Sequence, residues 1–280
     1  MSRYRQLSSL FRTHPTMVIG GLILFVAFSA ALLAPWLGTV DPLRIEPMKR
    51  LRPPSASNWF GTDIFGRDVW SRVIYGGRVS LIVGAAVAVI SMGVGLAIGL
   101  VSGYLRRVDS IVMRLMDAMM AIPAILLAIA LMAITKPSVG NVIIAISIAE
   151  IPRVVRLARS MVLSLREEVY VQAAITTGAR LPSILLRHIL PNMTAPLMVQ
   201  GTYIFAAAII IEAALSFLGA GTPAEVPSWG NIIAEGRNLF LLATWIVLIP
   251  GLFLSITVLS INLVGDGLRD LLDPRFAKRI

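Results

Sequence analysis

Three stretches of this sequence run longer without a charged residue than a soluble domain tolerates: Met17–Leu37, Val79–Leu105 and Asn238–Gly265. A membrane-spanning helix needs about 20 apolar residues, and each stretch meets that length. Hydrocarbon offers the backbone no hydrogen-bond partner, so only helices and closed barrels cross it. The apolar runs are continuous rather than alternating, which argues against a barrel. The expected fold class is therefore all-α integral membrane. Composition agrees, with 57% hydrophobic and 14% charged residues against about 25% charged in soluble domains.

Three weaker segments complete a six-helix reading. Ala118–Thr135 extends back over Leu115 and Met116, and Met193–Ile211 continues past Glu212 to Leu218. Pro137–Ala149 is interrupted by Glu150, Pro152 and Arg153. It is retained as a span running on through Ala158, because without it the segments on either side would exchange sides. The first run exceeds the roughly 7–15 apolar residues of a cleavable signal, so a retained first span is expected. The division is then a cytoplasmic tail over 1–16, a first helix over 17–37 and a periplasmic loop over 38–78. A five-helix core follows over 79–267, with a cytoplasmic loop at 160–192, and then a cytoplasmic tail over 268–280.

Net charge is +10, but the basic residues sit between apolar runs, as in membrane-protein loops, rather than in a patch suited to nucleic acid. With both termini cytoplasmic, the inner segments hold Arg3, Arg5 and Arg12; Arg106, Arg107 and Arg114; Arg153, Arg156, Arg159, Arg166, Arg180 and Arg187; and Arg269, Arg275, Lys278 and Arg279. Against this, Arg44, Lys49, Arg50, Arg52, Arg67, Arg72 and Arg78 fall in the outer loop. That loop also holds Asp41, Glu46, Asp63 and Asp68, so it reads as a partly folded, charge-balanced segment.

Catalytic chemistry finds little support. There is no cysteine, hence no disulfide and no thiolate metal site. Lys49, Lys136 and Lys278 are the only lysines, and none closes a phosphate-cradling Gly-rich turn. The chain is not expected to hydrolyse ATP or to bind a cofactor of its own. His14 and His188 are the only histidines, too far apart in sequence to form a helical metal pair. Glu212 is the one clear carboxylate within a long apolar run. If its span starts near Met193, it lies roughly 28 Å along the axis, near the outer interface. Two readings stay open for it: structural pairing with a neighbouring helix, and a part in substrate passage or gating. Asn262 and Asp266, at the end of the last span, read as anchors. Gly84, Gly93, Gly95, Gly99 and Gly103 line the second span. Gly95 and Gly99 form a G-x-x-x-G pair suited to close helix packing.

The loop around "YVQAAITTGARLPSILLRHILPN" is the most informative segment. From Arg159 no helix breaker appears until Gly178, which suits a helix terminator. Pro182 suits the first turn of a second short helix, and Pro191 restricts its end. The small residues Ala173 and Ala174 beside Tyr170 and Val171 would let a partner protein grip the helix in a groove.

This segment resembles the "EAA" signature of bacterial ABC importer permeases, which reads Glu-Ala-Ala, three residues, Gly, nine residues, Ile, any residue, Leu-Pro. Ala173, Ala174, Gly178, Leu190 and Pro191 keep that spacing, while Gln172 replaces the Glu and His188 the Ile. "RHILPN" is similar to the form in the dipeptide/oligopeptide/nickel branch. "FGTDIFGRDVWSRVIYGGRVSL" (60–81), "EAALSFLGAGTP" (212–223), "PSWGNII" (227–233) and "NLVGDGLRDLLDPR" (262–275) resemble further blocks of that branch.

The resemblance implies a type I ABC importer permease in the bacterial inner membrane, specifically the second, shorter permease of a pair. Its implied partners are a related permease, two ATPase subunits that carry ATP and Mg²⁺, and a periplasmic substrate-binding protein. The "EAA" loop is then the coupling helix. Tyr170, Val171, Gln172, Ala173, Ala174 and Gly178 become docking residues, and Arg180 or Arg187 contacts acidic groups on the ATPase. Peptides are the expected cargo; nickel, glutathione and opines belong to the same branch. Nickel prefers imidazole ligands, which the spans lack. A self-contained channel or secondary carrier is the alternative from another class, and a nonconducting scaffold is a third.

Overall fold

The computed structural model describes residues 15–272. Of the tails expected at 1–16 and 268–280, residues 1–14 and 273–280, with His14, Arg3, Arg5, Arg12, Arg275, Lys278 and Arg279, lie outside the described residues, while 15–16 and 268–272 belong to helices. Nine helices of eight or more residues organise the described chain. They are α1 (Pro15–Leu32), α2 (Val69–Tyr104), α3 (Arg106–Met120), α4 (Ala124–Ile134), α5 (Val139–Leu165), α6 (Val169–Thr176), α7 (Thr194–Phe217), α8 (Trp229–Gly236) and α9 (Trp245–Leu272).

Among the described residues, four helical stretches are long and apolar enough to cross a membrane: Pro15–Leu32, Val69–Tyr104, Leu181–Phe217 and Trp245–Leu272. The pair α3 and α4 passes the same test jointly, bent by 88°. Pro123, immediately before α4, explains the break, because it lacks an N–H and pushes Ile122 out of helical geometry. The expected single span Ala118–Thr135 thus straddles the bend, taking in the end of α3 and all of α4. α5 is a continuous helix despite Pro152, and its arginines lower its hydropathy.

The direction of α5 follows from its contacts. A Cβ built on Gly95, Gly99 or Gly103 would lie 2.5 Å, 2.5 Å and 2.7 Å from the Cβ atoms of Val154, Ala158 and Val162. Both numberings rise together, so α2 and α5 run parallel. The bent pair α3/α4 must therefore return the chain to its starting side, and α5 makes the fourth of six passes. α7 is antiparallel to α2, since Gly84 meets Phe205 and Ile209 while Ser80 meets Glu212. α9 lies antiparallel to α1, with Gly20 against Ser260 and Gly267 against Met17.

α2 begins ten residues before the apolar run, at Val69 rather than Val79. Asp68 starts it by accepting hydrogen bonds from the Ser71 backbone N–H at 2.8 Å and the Ser71 hydroxyl at 2.7 Å. Charge does not end this helix, because its arginines are engaged. Arg78 donates to the carbonyls of Ala31 and Leu32, which are among the orphan acceptors at the end of α1. The preceding loop folds onto the same end. Trp70 donates to the Leu37 carbonyl at 3.2 Å and Trp245 to that of Thr62 at 3.2 Å. All 5 tryptophans of the chain lie in or beside the elements of this end, the placement of an interfacial aromatic belt.

Candidate functional site

Two features at opposite ends of the bundle invite a functional reading. The first is α6, at the end where α2 and α5 terminate. The expected continuous helix from Arg159 to Gly178 is in fact two helices. α5 stops at Leu165, a turn spans Arg166–Glu168, and α6 occupies Val169–Thr176. Such a turn leaves carbonyls at the end of α5 without helical partners. Gln172 answers one of them, its Nε2 donating to the Arg166 carbonyl at 2.8 Å. A Glu here accepts only and cannot make this bond.

Gly178 terminates α6 as the sequence suggests. Its φ is +79°. Its N–H donates to Ile175 at 3.0 Å, and that of Ala179 to Ala174 at 3.0 Å. This is a Schellman closure with glycine in the left-handed position. Leu181–Ser183 then opens a helical turn with Pro182 near its start. The chain does not stop at Pro191. It continues through a π-helical stretch, Ile184–Ile189, and a 3₁₀ stretch, Leu190–Met193, directly into α7. In a regular α-helix the Pro191 ring would clash with the Arg187 carbonyl, and the wider turn ahead of it removes that conflict. The Asn192 side chain donates to the His188 carbonyl at 2.7 Å. The expected separate second helix is thus the first turns of a long α7 stretch.

α6 divides the predicted docking residues into two sets. Val171 is fully buried and Ala174 is 9% exposed. Val171 packs with Ala158, Val162, Ile184, Leu185 and Ile189. Both were expected on a docking surface, but they face inward and anchor the helix, because a helix of eight residues must bury one stripe to be held in place. Tyr170, Gln172, Ala173, Gly178, Arg180 and Arg187 face outward. Partial burial, with the nearby Glu168 charge adding to it, raises the Tyr170 phenol above its ordinary range.

The second feature is Glu212. It is fully buried. Ser228 donates to its Oε1 at 2.8 Å and Ser216 at 2.9 Å, while Ser80 approaches Oε2 at 3.4 Å. Ser228 also caps α8 by accepting from the Asn231 N–H at 3.1 Å. The carboxylate therefore ties α2, α7 and the start of α8 together. Close approach makes this possible, since a Cβ on Gly230 would lie 2.5 Å from Ala213 Cα.

Two charged clusters escaped sequence reasoning. Arg67 and Arg72 share Asp63 and Glu235 at 2.5–2.7 Å, joining the loop, α2 and α8. Arg72 is fully buried there. The charge balance of the loop was the visible signal, but Glu235, more than 160 residues away, was not paired with it. On α5, Arg156 pairs with Asp117 at 2.6 Å, and Arg159 makes a two-pronged pair with Asp109.

Residues 91–278 match the family described as binding-protein-dependent transport system inner membrane component. The chain belongs to that family. As a member it is a multi-pass membrane permease component of an ABC transporter, not the ATPase. It is 53% identical over 96% of its length, and 92% of the relative's, to a probable peptide ABC transporter permease protein of Sinorhizobium fredii. A dipeptide transport system permease protein of Alkalihalophilus pseudofirmus is 45% identical, with 92% of this chain and 86% of the relative covered. A probable D,D-dipeptide transport system permease protein of Escherichia coli is 42% identical, with 93% and 88% covered.

Proposed function

We propose that this permease forms half of the pathway of an ATP-driven importer for short peptides and receives the motion of its ATPases through α6. The names of the relatives support the peptide cargo. The observation that carries the mechanical part is the two-sided character of α6. Val171 locks it to α5 and to the lead-in of α7 and Ala174 is buried on the same face, while Tyr170, Gln172, Ala173 and Arg180 stay exposed. A short helix gripped on one side by the bundle and open on the other transmits a push without folding away. Motion of α6 passes to α7 across the Gly178 turn, because from Leu181 onward the chain is helical without a break into α7.

In this reading the partners are a related permease, two ATPase subunits holding ATP and Mg²⁺, and a periplasmic binding protein. This chain is the second permease of the pair. The α6 end and both termini are cytoplasmic, and the tryptophan-rich end is periplasmic. Arg180 and Arg187 offer donors to carboxylates of the ATPase. The test places the wild-type complex in lipid vesicles with its binding protein and measures ATP-dependent uptake of labelled di- and tripeptides. Uptake that needs all subunits supports the reading. Absence of peptide uptake removes the cargo assignment, and uptake by this chain alone removes the ATPase coupling.

A further inference from the structure

Three arginines descend α5 one turn apart: Arg153, Arg156 and Arg159. The lower two are neutralised by carboxylates of α3, at 2.6 Å for Arg156 and Asp117 and through both oxygens of Asp109 for Arg159. Among the described residues, Arg153 has no carboxylate within hydrogen-bond reach. Its nearest carboxylate, Glu150, lies at 3.6 Å, beyond hydrogen-bond reach. It donates one hydrogen bond, to the Tyr203 hydroxyl of α7 at 3.1 Å. An arginine has five N–H donors in a rigid fork, so most of this guanidinium is uncommitted.

Depth and exposure give this meaning. Arg153 lies about 21 Å from the start of α5 and about 18 Å from its end at 1.5 Å per residue, hence midway along this pass. Its side chain is 40% exposed, and Tyr203 is 49% exposed. A charge at that depth does not face lipid; it faces a protein partner or a water-filled path. Behind it, Glu150 is fully enclosed with neither oxygen hydrogen-bonded, and the Ser147 hydroxyl one turn away is also unpartnered. The notch is a cation with free donors in front and an unsatisfied carboxylate behind.

Resting on the peptide-importer reading above, we propose that Arg153 and Tyr203 line the translocation pathway and take the carboxylate of a passing peptide. The guanidinium fork matches a carboxylate in two-pronged geometry, and the Tyr203 hydroxyl orients it. Glu150, close but not bonded, offsets part of the charge and keeps the hold weak enough for release, the balance that conduction through a pathway requires.

The chain has no cysteine, so the test uses single cysteines in the complete importer, reconstituted with cysteine-free partners. Tyr203→Cys is expected to react with a membrane-impermeant anionic thiol reagent faster than with a cationic one. A peptide with a free C-terminus, added under ATP turnover, slows that reaction. Separately, Arg153→Gln is expected to lower uptake of the free-carboxylate peptide at least tenfold, with all subunits still co-purifying, while Arg153→Lys recovers part of it. The binding protein is saturated with the free peptide or its C-terminal amide, and the preference for the free acid shrinks in Arg153→Gln. Three results overturn the proposal: Tyr203→Cys inert in every nucleotide state, Arg153→Gln uptake within twofold of wild type, or loss of the second permease from the Arg153→Gln complex, which makes Arg153 an interface residue. None of these touches the wild-type uptake that tests the importer reading itself.

Discussion

Gln172 and Gly178 show how much a single atom decides in the α6 loop. The Gln172 amide supplies a donor to a carbonyl at the end of α5, while Glu would place a negative charge beside it, where the helix end is already negative. Gln172→Glu is expected to destabilise the isolated permease by about 1 kcal/mol, read as a lower thermal midpoint in detergent. Gly178 has open space where a Cβ would sit, so its requirement is conformational rather than steric. Gly178→Ala forces a left-handed residue costing about 1–2 kcal/mol, and should weaken ATPase co-purification more than membrane insertion. Ala174 was expected to be a docking residue, but it is packed inside. Ala174→Arg therefore disturbs the α6 anchor, and Ala173→Arg, on the exposed side, is the cleaner disruption of docking. Ala173→Arg should abolish ATPase co-purification while leaving the thermal midpoint within a degree or two; normal co-purification refutes the docking face. The positions of Gly178 and Pro182 were legible in sequence because each acts through its own backbone. The inward turn of Val171 was not, since it depends on Ile184 and Ile189 packing from another segment.

At the scale of elements, the α2–α5 seam and the Glu212 cage set which helices move as one. Gly95, Gly99 and Gly103 bring two parallel helices within backbone contact, which favours a single rigid unit. Gly99→Leu should separate them, lowering stability by several kcal/mol, as overpacking and strain combine, with loss of folded protein in size-exclusion profiles. Glu212 tests the cage. Removing it leaves the Ser216 and Ser228 hydroxyls without their acceptor. Glu212→Ala is expected to cost about 2–4 kcal/mol, at roughly 1–3 kcal/mol per unsatisfied group, and Glu212→Gln distinctly less. A wild-type thermal midpoint for Glu212→Ala would show that the cage contributes nothing. The small-residue spacing announced a close helix contact. It did not name the partner, because G-x-x-x-G motifs specify how near a helix comes, not which helix it is.

At the scale of the whole molecule, the loop between α1 and α2 is part of the bundle rather than a tether. Arg67 and Arg72 share two carboxylates, one from the loop and one from α8. Removing one partner from a buried ion cluster leaves an uncompensated charge at about 3–5 kcal/mol. Glu235→Ala should therefore loosen the loop, seen as faster proteolysis between residues 44 and 60 before the helices unfold. Nearer the surface, hydrogen bonding from Lys49 holds the Glu46 carboxylate below its ordinary range, opposed by slight desolvation and aided by the Lys49 and Arg44 charges. A depressed carboxylate adds stability above its unfolded pKa and loses it as pH falls through the lower folded value. Protection of this loop from protease should thus weaken in distinctly acidic buffer, and Glu46→Gln should reduce that dependence.

The sequence by itself determined the solvent, the helical class and the Gly178 turn that ends α6. Charge-free run length is set by bilayer thickness, and Gly and Pro act locally on their own backbone. Tertiary structure decided which charges are counterbalanced and which are not. Glu150 and Arg153 looked like interruptions of a weak span. They become a mid-depth notch only because Asp109 and Asp117, held on α3, neutralise the two arginines below and leave Arg153 with free donors. Pairing across tens of residues depends on where helices cross, and no local spacing in the chain encodes that.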